Sequence, residues 1–401
     1  MLTYKYTARD PKTKQEVKST VQAQSEQAAV KVITNQGLMP TNIELQDEQG
    51  GFGRDRVGAK DKVIFFRQLS TLVSAGLPLA QSLRTVSEQV SSKGLVLALG
   101  KIIADVEGGS TLADAMSLHP KIFNDVMVNL VAAGEASGTL DETLQRIADQ
   151  TEKDAEMASK VRGALVYPAI VLFVIIAVIV FMLTTVLPQI ELLYDDLGQQ
   201  LPFITSVLLV IANFIIGYWW LIIILLAGGI FLLRQYVQTE AGREQLDVFK
   251  MSVPLFGVLF KKLYMARFTR TGATLLKSGV QMLEMMRITS KAAGNVLIER
   301  DIQKAAVKVR GGKTLSTSLA DSDYFLPLVP QMISIGEQSG SIDGMMSKAA
   351  DFYEKELDDQ IKTISTTIEP ILMIVLAVVA GLMVGAILLP VYGLVGENIA
   401  I

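Results

Sequence analysis

The chain has 401 residues, half of them hydrophobic, and a mean hydropathy of +0.39; a water-soluble globular protein of this size rarely reads so apolar, so membrane spans are expected. A net charge of −3 offers no basic field for nucleic acid. With no cysteine and one histidine, His119, the chain excludes disulfides, thiolate metal sites and cysteine nucleophiles, and it leaves too little for a His-based metal cluster or a Ser-His triad.

The first residues, Met1-Leu2-Thr3-Tyr4-Lys5, carry no apolar signal-peptide core, so the start of the chain is expected on the side of synthesis. Residues 2–8 and 17–23 alternate like short strands, 26–36 read as a helix ended by Gly37, and 38–45 suggest a closing strand. Residues 1–50 thus form a small mixed α/β unit. The stretch 47–60, rich in glycine and charge, reads as flexible, with 51–60 as the linker proper. A helical module follows over 61–162. Its helices are predicted at 63–73, stopped at Gly76, then at 79–90, 95–106, 112–118, 123–133 and 140–157. Gly108-Gly109 stop the third, and Thr111 is placed to cap the fourth.

No residue is charged between Arg162 and Glu191, between Asp196 and Arg234, or between Glu369 and Glu397. Each gap exceeds the roughly 20 apolar residues that cross ~30 Å of hydrocarbon. Spans are therefore predicted at 164–188, 203–233 and 369–391, with a short loop at 189–202, a second module at 235–367 and a tail at 392–401. Lys153, Lys160 and Arg162 precede span one, and Arg234, Arg243 and Lys250 follow span two. Lys348, Lys355 and Lys362 precede span three, whereas the loop and the tail hold neither Lys nor Arg. The bias of positive charge puts the N-terminus and both modules in the cytoplasm, and the loop and C-terminus outside.

The chain repeats itself. At an offset of 203, Phe65, Arg67 and Gly76 meet Phe268, Arg270 and Gly279, and Gly108-Gly109-Ser110-Thr111-Leu112 meets Gly311-Gly312-Lys313-Thr314-Leu315. One residue is then lost, and Phe123, Pro168 and Leu187-Pro188 meet Phe325, Pro370 and Leu389-Pro390. The duplicated unit is a module plus the span after it, in the same direction both times; span two is the connector.

The most distinctive motif is Gly-Glu-x-Ser-Gly-x-Leu/Ile-Asp, as Gly134, Glu135, Ser137 and Gly138 and again as Gly336, Glu337, Ser339 and Gly340. Read structurally, one helix ends at Gly134, Gly134 and Gly138 shape a turn, and Ser137 or Thr139 caps the next helix, whose first turn holds Asp141 and Glu142. Read functionally, Glu135 and Glu337 mark an interaction surface or a subunit interface. Gly-Gly-x-Thr-Leu lacks the spacing of a phosphate loop. Asp149, Glu152, Asp154 and Glu156 read as a solvated helix face, and His119 as a surface or turn residue. Pro168 and Pro370 fall in the first turns of spans one and three, where proline costs little. Ala377, Gly381 and Gly385 put small residues on one face of span three, for packing within the chain or between two chains.

Together these features resemble the PilC/GspF family, the inner-membrane platform proteins of type IV pilus and type II secretion machines. The likeness is carried by Tyr4-Lys5-Tyr6-Thr7-Ala8, Gly37-Leu38-Met39-Pro40, Gly76-Leu77-Pro78-Leu79, Gly109-Ser110-Thr111-Leu112, both corner motifs, Tyr167-Pro168, Glu369-Pro370 and Leu389-Pro390. It departs at Lys12-Thr13-Lys14-Gln15, where relatives often have glycine, and at Gln145 and Asp149, where some relatives bind a cation; no metal is expected. The resemblance implies a non-enzymatic, all-α polytopic membrane protein of two six-helix modules and three spans. It implies no cofactor. Its implied partners are a cytoplasmic hexameric assembly ATPase, pilin or pseudopilin subunits, other inner-membrane assembly components and the lipid bilayer; the small-residue face of span three and the paired modules point to a homodimer or higher homo-oligomer. A type II secretion or DNA-uptake pseudopilus platform is the alternative within the family. A two-repeat transporter or channel is the alternative outside it, weakened because no span holds a buried Asp, Glu, Lys, Arg or His. A membrane-bound enzyme has little to build acid-base chemistry from.

Overall fold

Alternating side chains at the start of the chain favour pleated pairing. The computed structural model describes residues 2–9, 16–23, 26–35, 37, 39–45, 57–196, 203–254 and 256–397. β1 (Leu2–Arg9) pairs antiparallel with β2 (Glu16–Ala23) on one side and with β3 (Met39–Leu45) on the other, giving the order β2-β1-β3. α1 (Glu26–Asn35) connects β2 to β3. The β1–β3 register slips between Thr7 and Ala8, which face Asn42 and Pro40. Pro40 thus sits on an edge strand at an irregularity, where a missing N–H is tolerated. Residues 10–15 between the first two strands, linker residues 51–56, loop residues 197–202 and tail residues 398–401 lie outside the described residues.

The chain divides into two compact units, Met1–Ala148 and Asp149–Ile401. In the first, α2 (Ala59–Ser74), α3 (Leu79–Gln89), α4 (Lys93–Glu107), α5 (Leu112–Ser117), α6 (Asp125–Ser137) and the start of α7 (Leu140–Phe181) follow the sheet. Leu95, Leu99 and Ile102 recur at i, i+4 and i+7 and are all buried, the spacing of one helix face. Phe65, Phe66 and Phe123 make the aromatic centre, with ring centroids 4.9, 5.9 and 6.0 Å apart. Such pairs add about 0.5–1.5 kcal/mol each beyond their buried area.

α7 does not stop where polarity changes. It continues through a π-helical turn, Met182–Val186, into α8 (Leu187–Asp196), a single run of 57 residues. The widening has a local cause. Pro188 has no N–H for the Thr184 carbonyl, and the Leu187 amide reaches back to Met182 instead. Two expectations are corrected. The polar helix 140–157 and span one are one helix, and residues 189–196 of the expected loop are helical.

The second unit holds α9 (Phe203–Gln238), whose backbone leaves helical geometry at Tyr218 (φ −120°, ψ 20°) directly after Gly217. Then come α10 (Glu240–Ser252), α11 (Phe256–Lys277), α12 (Met282–Ala292), α13 (Val296–Arg310), α14 (Leu315–Ala320), α15 (Leu328–Ser339) and α16 (Ile342–Glu397). α11 to α16 repeat the order of α2 to α7, and Phe268 meets Phe325 edge-on at 5.1 Å where copy one has Phe65 and Phe123. α16 is again module helix and span in one, and residues 392–397 of the expected tail belong to it.

Three helices are long and apolar enough to cross a bilayer, and no more than 11% of their most apolar stretches is buried. Side chains such as Phe173, Phe231 and Ile374 stand exposed; so wide an apolar surface is stable only against lipid or a partner. The spans meet at Leu183, Leu187, Leu209, Ala212 and Ala386. There the buried Thr205 hydroxyl donates to the Ala386 carbonyl at 3.3 Å.

Candidate functional site

The repeated corner is assembled from two motifs. α4 ends at Gly108-Gly109, where Gly109 takes φ 96° and the Ser110 amide returns to the Asp105 carbonyl. This closes the helix and leaves Thr111 to start α5. A helix of six residues cannot hide its unpaired N-terminal amides. Thr111 Oγ1 accepts from Asp114 N–H at 3.0 Å, as the sequence predicts. Glu135 accepts the other two, from Leu112 N–H at 2.6 Å and Ala113 N–H at 3.0 Å. Copy two repeats the device: Glu337 accepts from Leu315 N–H at 2.6 Å and Ser316 N–H at 3.4 Å, and the Ser316 hydroxyl adds a donor that Ala113 lacks. The corner glutamate is thus a half-buried cap on a helix of its own module. Spacing alone did not reveal this link; the joint recurrence of both motifs was the available signal.

The glycines differ in role from the sequence expectation. α6 runs to Ser137, so Gly134 lies inside the helix and not in the turn. A Cβ there would stand 2.6 Å from Thr143 Oγ1; a Cβ on Gly336 would stand 2.7 Å from the Ile342 Cα. Both let the next helix pack directly on the first. The turn itself belongs to Gly138 and Gly340, at φ 73° and 72°. The Thr139 and Ser341 amides return to the Gly134 and Gly336 carbonyls, the bond that closes a helix over a left-handed residue. Ser137 caps nothing: its hydroxyl donates to the Ala133 carbonyl, and Ser339 does the same to Ile335. Gly76 and Gly279, at φ 84° and 80°, end α2 and α11.

In the second unit, α7 brings a polar set against α11. Gln150 Nε2 approaches Thr271 Oγ1 at 3.5 Å and Asp154 Oδ2 at 3.3 Å. Asp154 Oδ1 is shut off from solvent with no hydrogen-bond partner. Burial pushes this carboxyl above the ordinary carboxylate range, against the pull of Arg267, Gln150 and Arg270. The reading of this face as solvated therefore fails at Asp154, because Gln150 and Asp154 are turned towards Thr271 and Arg267 of α11. Arg270 Nε donates to Glu354 at 2.8 Å and its Nη2 to Asp351. Burial lowers the Arg270 guanidinium, but these two bonds outweigh it and hold it above its ordinary value. Sequence reasoning singled out Arg270 only as a repeat match, although Asp351 and Glu354 match Asp149 and Glu152 in the same repeat, past the lost residue. Lys160 Nζ binds Asp358 at 2.8 Å and Lys262 Nζ binds Glu356 at 2.8 Å, tying α7 and α11 to α16.

Pro168 and Pro370 are interior to α7 and α16, not in first turns, because each helix begins more than twenty residues earlier. On span three, Ala377 and Gly381 are exposed, and a Cβ on Gly381 or Gly385 would meet nothing within 4 Å. Within the described chain it is Ala386, one residue beyond the small-residue face, that packs.

The family model described as Type II secretion system (T2SS), protein F matches residues 65–188 and again 268–390. A second, described as Type II secretion system protein F, N-terminal domain, matches residues 1–44. The chain belongs to the type II secretion system protein F family. Each match to the protein F family runs from Phe65 or its repeat counterpart Phe268 through the following span, as the internal repeat does. The chain is 37% identical to the type IV pilus assembly protein PilC of Thermus thermophilus, over 99% of both chains. It is 35% identical to PilC of Myxococcus xanthus, over 94% of this chain and 92% of that one. To the type II secretion system protein F of Pseudomonas aeruginosa it is 33% identical, over 98% and 99%.

Proposed function

We propose that this chain is the inner-membrane platform of a type IV pilus assembly machine, receiving motion from a cytoplasmic hexameric ATPase and passing pilin subunits into the growing filament. The observation that carries this reading is the joining of module and span. α16 is one uninterrupted helix of 56 residues from a module's core to the end of its apolar run. A force on the module reaches the bilayer without crossing a loop. The capped corner and the Arg270 bonds to Asp351 and Glu354 make that module stiff where the long helix leaves it. No enzymatic chemistry is assigned; the role is mechanical, requires no cofactor, and involves other inner-membrane assembly components.

Deletion of the gene in a piliated host tests the reading. Loss of filaments, restored by the intact gene, is expected; filaments that persist with no paralogue present sink it. A secretion or DNA-uptake pseudopilus platform is the second reading, supported by the relative of Pseudomonas aeruginosa named for type II secretion. Secretion assays in the same deletion strain separate the two.

Both modules are proposed to face the cytoplasm, with the C-terminus outside. The chain has no cysteine, so single-cysteine variants such as Lys60→Cys and Glu397→Cys report sidedness with a membrane-impermeant maleimide. Labelling from outside is expected at position 397 and not at position 60; the reverse pattern overturns the orientation.

A further inference from the structure

We propose that the groove between spans one and three holds the headgroup of an ethanolamine phospholipid, with Glu369 receiving its ammonium. The groove, of about 400 Å³, is lined by residues 163, 164, 167 and 168 of α7 and 365, 366 and 369 of α16. These are the same positions of the two copies facing each other: Gly163 opposite Ser365, Ala164 opposite Thr366, and Tyr167 opposite Glu369 in the repeat. The apolar runs of both spans begin here, so both helices present the groove at the depth where headgroups lie.

The chemistry of the lining is that of a donor-seeking site. Pro168 and Pro370 have no N–H, so the Ala164 and Thr366 carbonyls, four residues earlier, cannot receive their usual helical donor. Both residues line the groove, beside the hydroxyls of Tyr167 and Ser365. Glu369 has no ion-pair or hydrogen-bond partner among the described residues. A primary ammonium carries three N–H donors, enough for a carboxylate and the freed carbonyls together. Arg162, next to Gly163 in sequence, is exposed and likewise without a carboxylate partner among the described residues. One unpaired anion and one unpaired cation at the same membrane boundary match a zwitterion whose phosphate and ammonium are joined by a short chain. A phosphatidylglycerol headgroup has no cation for Glu369. A choline headgroup has the charge but no N–H to donate.

The test uses the full-length protein released from bilayers of defined mixtures, with retained lipids counted by native mass spectrometry. The expected result is a roughly tenfold preference for phosphatidylethanolamine over phosphatidylcholine, the worth of one charge-assisted hydrogen bond. Glu369→Gln is expected to abolish that preference while helicity and melting temperature stay unchanged. If this variant fails to fold, the wild type alone decides: retention should fall stepwise as the ethanolamine nitrogen carries one, two and three methyl groups. Equal retention along that series, a preference for phosphatidylglycerol, a Glu369→Gln variant that keeps its preference, or an amine-terminated peptide found in place of lipid would each overturn the proposal.

Discussion

At the scale of single residues, the corner glutamates show how one side chain can complete another element. Removing Glu135 leaves the Leu112 and Ala113 amides without a partner, at about 1–3 kcal/mol. Glu135→Ala is expected to lower the melting temperature of the purified protein clearly, and Glu135→Gln, which keeps an acceptor, to lower it less. Equal loss in both variants would mean that charge, not acceptance, is what α5 requires. Gly336→Ala and Gly134→Ala separate two kinds of crowding. The neighbour of Gly336 is backbone, the Ile342 Cα, whereas that of Gly134 is the Thr143 side chain. Overpacking typically costs about 1–3 kcal/mol, and Gly336→Ala is expected at the upper end because backbone cannot turn aside. Thermal unfolding that ranks the two in the opposite order would refute this. The motif was legible in the sequence because glycine, glutamate and serine recur together at a fixed offset. The use of the glutamate was not, because its partners are amides 22 and 23 residues away, and amides carry no sequence signature.

At the scale of elements, the helices of both modules follow from apolar spacing, from glycines with positive φ and from the Thr111 cap. Their continuity was hidden. The polarity change near residues 157–164 reads as a boundary, yet the hydrogen-bond ladder depends on backbone and not on side-chain polarity, so α7 runs through it. Burial of Asp154 was hidden for a related reason, since an acidic face is taken as solvated until another helix is known to cover it. Its raised carboxyl makes the folded state bind a proton more tightly than the unfolded chain does. This contribution to stability is therefore present at low pH and is lost as pH rises from the ordinary carboxylate range through the raised folded value. Asp154→Asn, which removes the buried charge but keeps the hydrogen-bonding shape, is expected to flatten that part of the stability–pH curve and to melt no lower at neutral pH. A steeper curve, or a large loss of stability at neutral pH, would show that Asp154 serves as a needed counter-charge to Arg267.

At the scale of the whole molecule, the three apolar gaps and the duplication were plain in the sequence, because charge is excluded from hydrocarbon and repeats survive as matched residues. Whether the small face of span three packs inside the chain was not plain, since glycine spacing is the same for either partner. With nothing within 4 Å of a Cβ on Gly381 or Gly385, that face is proposed to meet a second copy of the chain. Gly381→Leu is expected to shift the purified protein towards monomer in size-exclusion light scattering without lowering its helicity; an unchanged mass would exclude this face. The 56-residue helix α16 has one more consequence, of amplitude. At 1.5 Å per residue it is about 84 Å long, of which only ~30 Å lies in hydrocarbon. A straight rod of that length tilted by about 10° about one end displaces the other by roughly 15 Å. Small angular changes at the module end would therefore become displacements at the far end comparable to the width of a helix with its side chains.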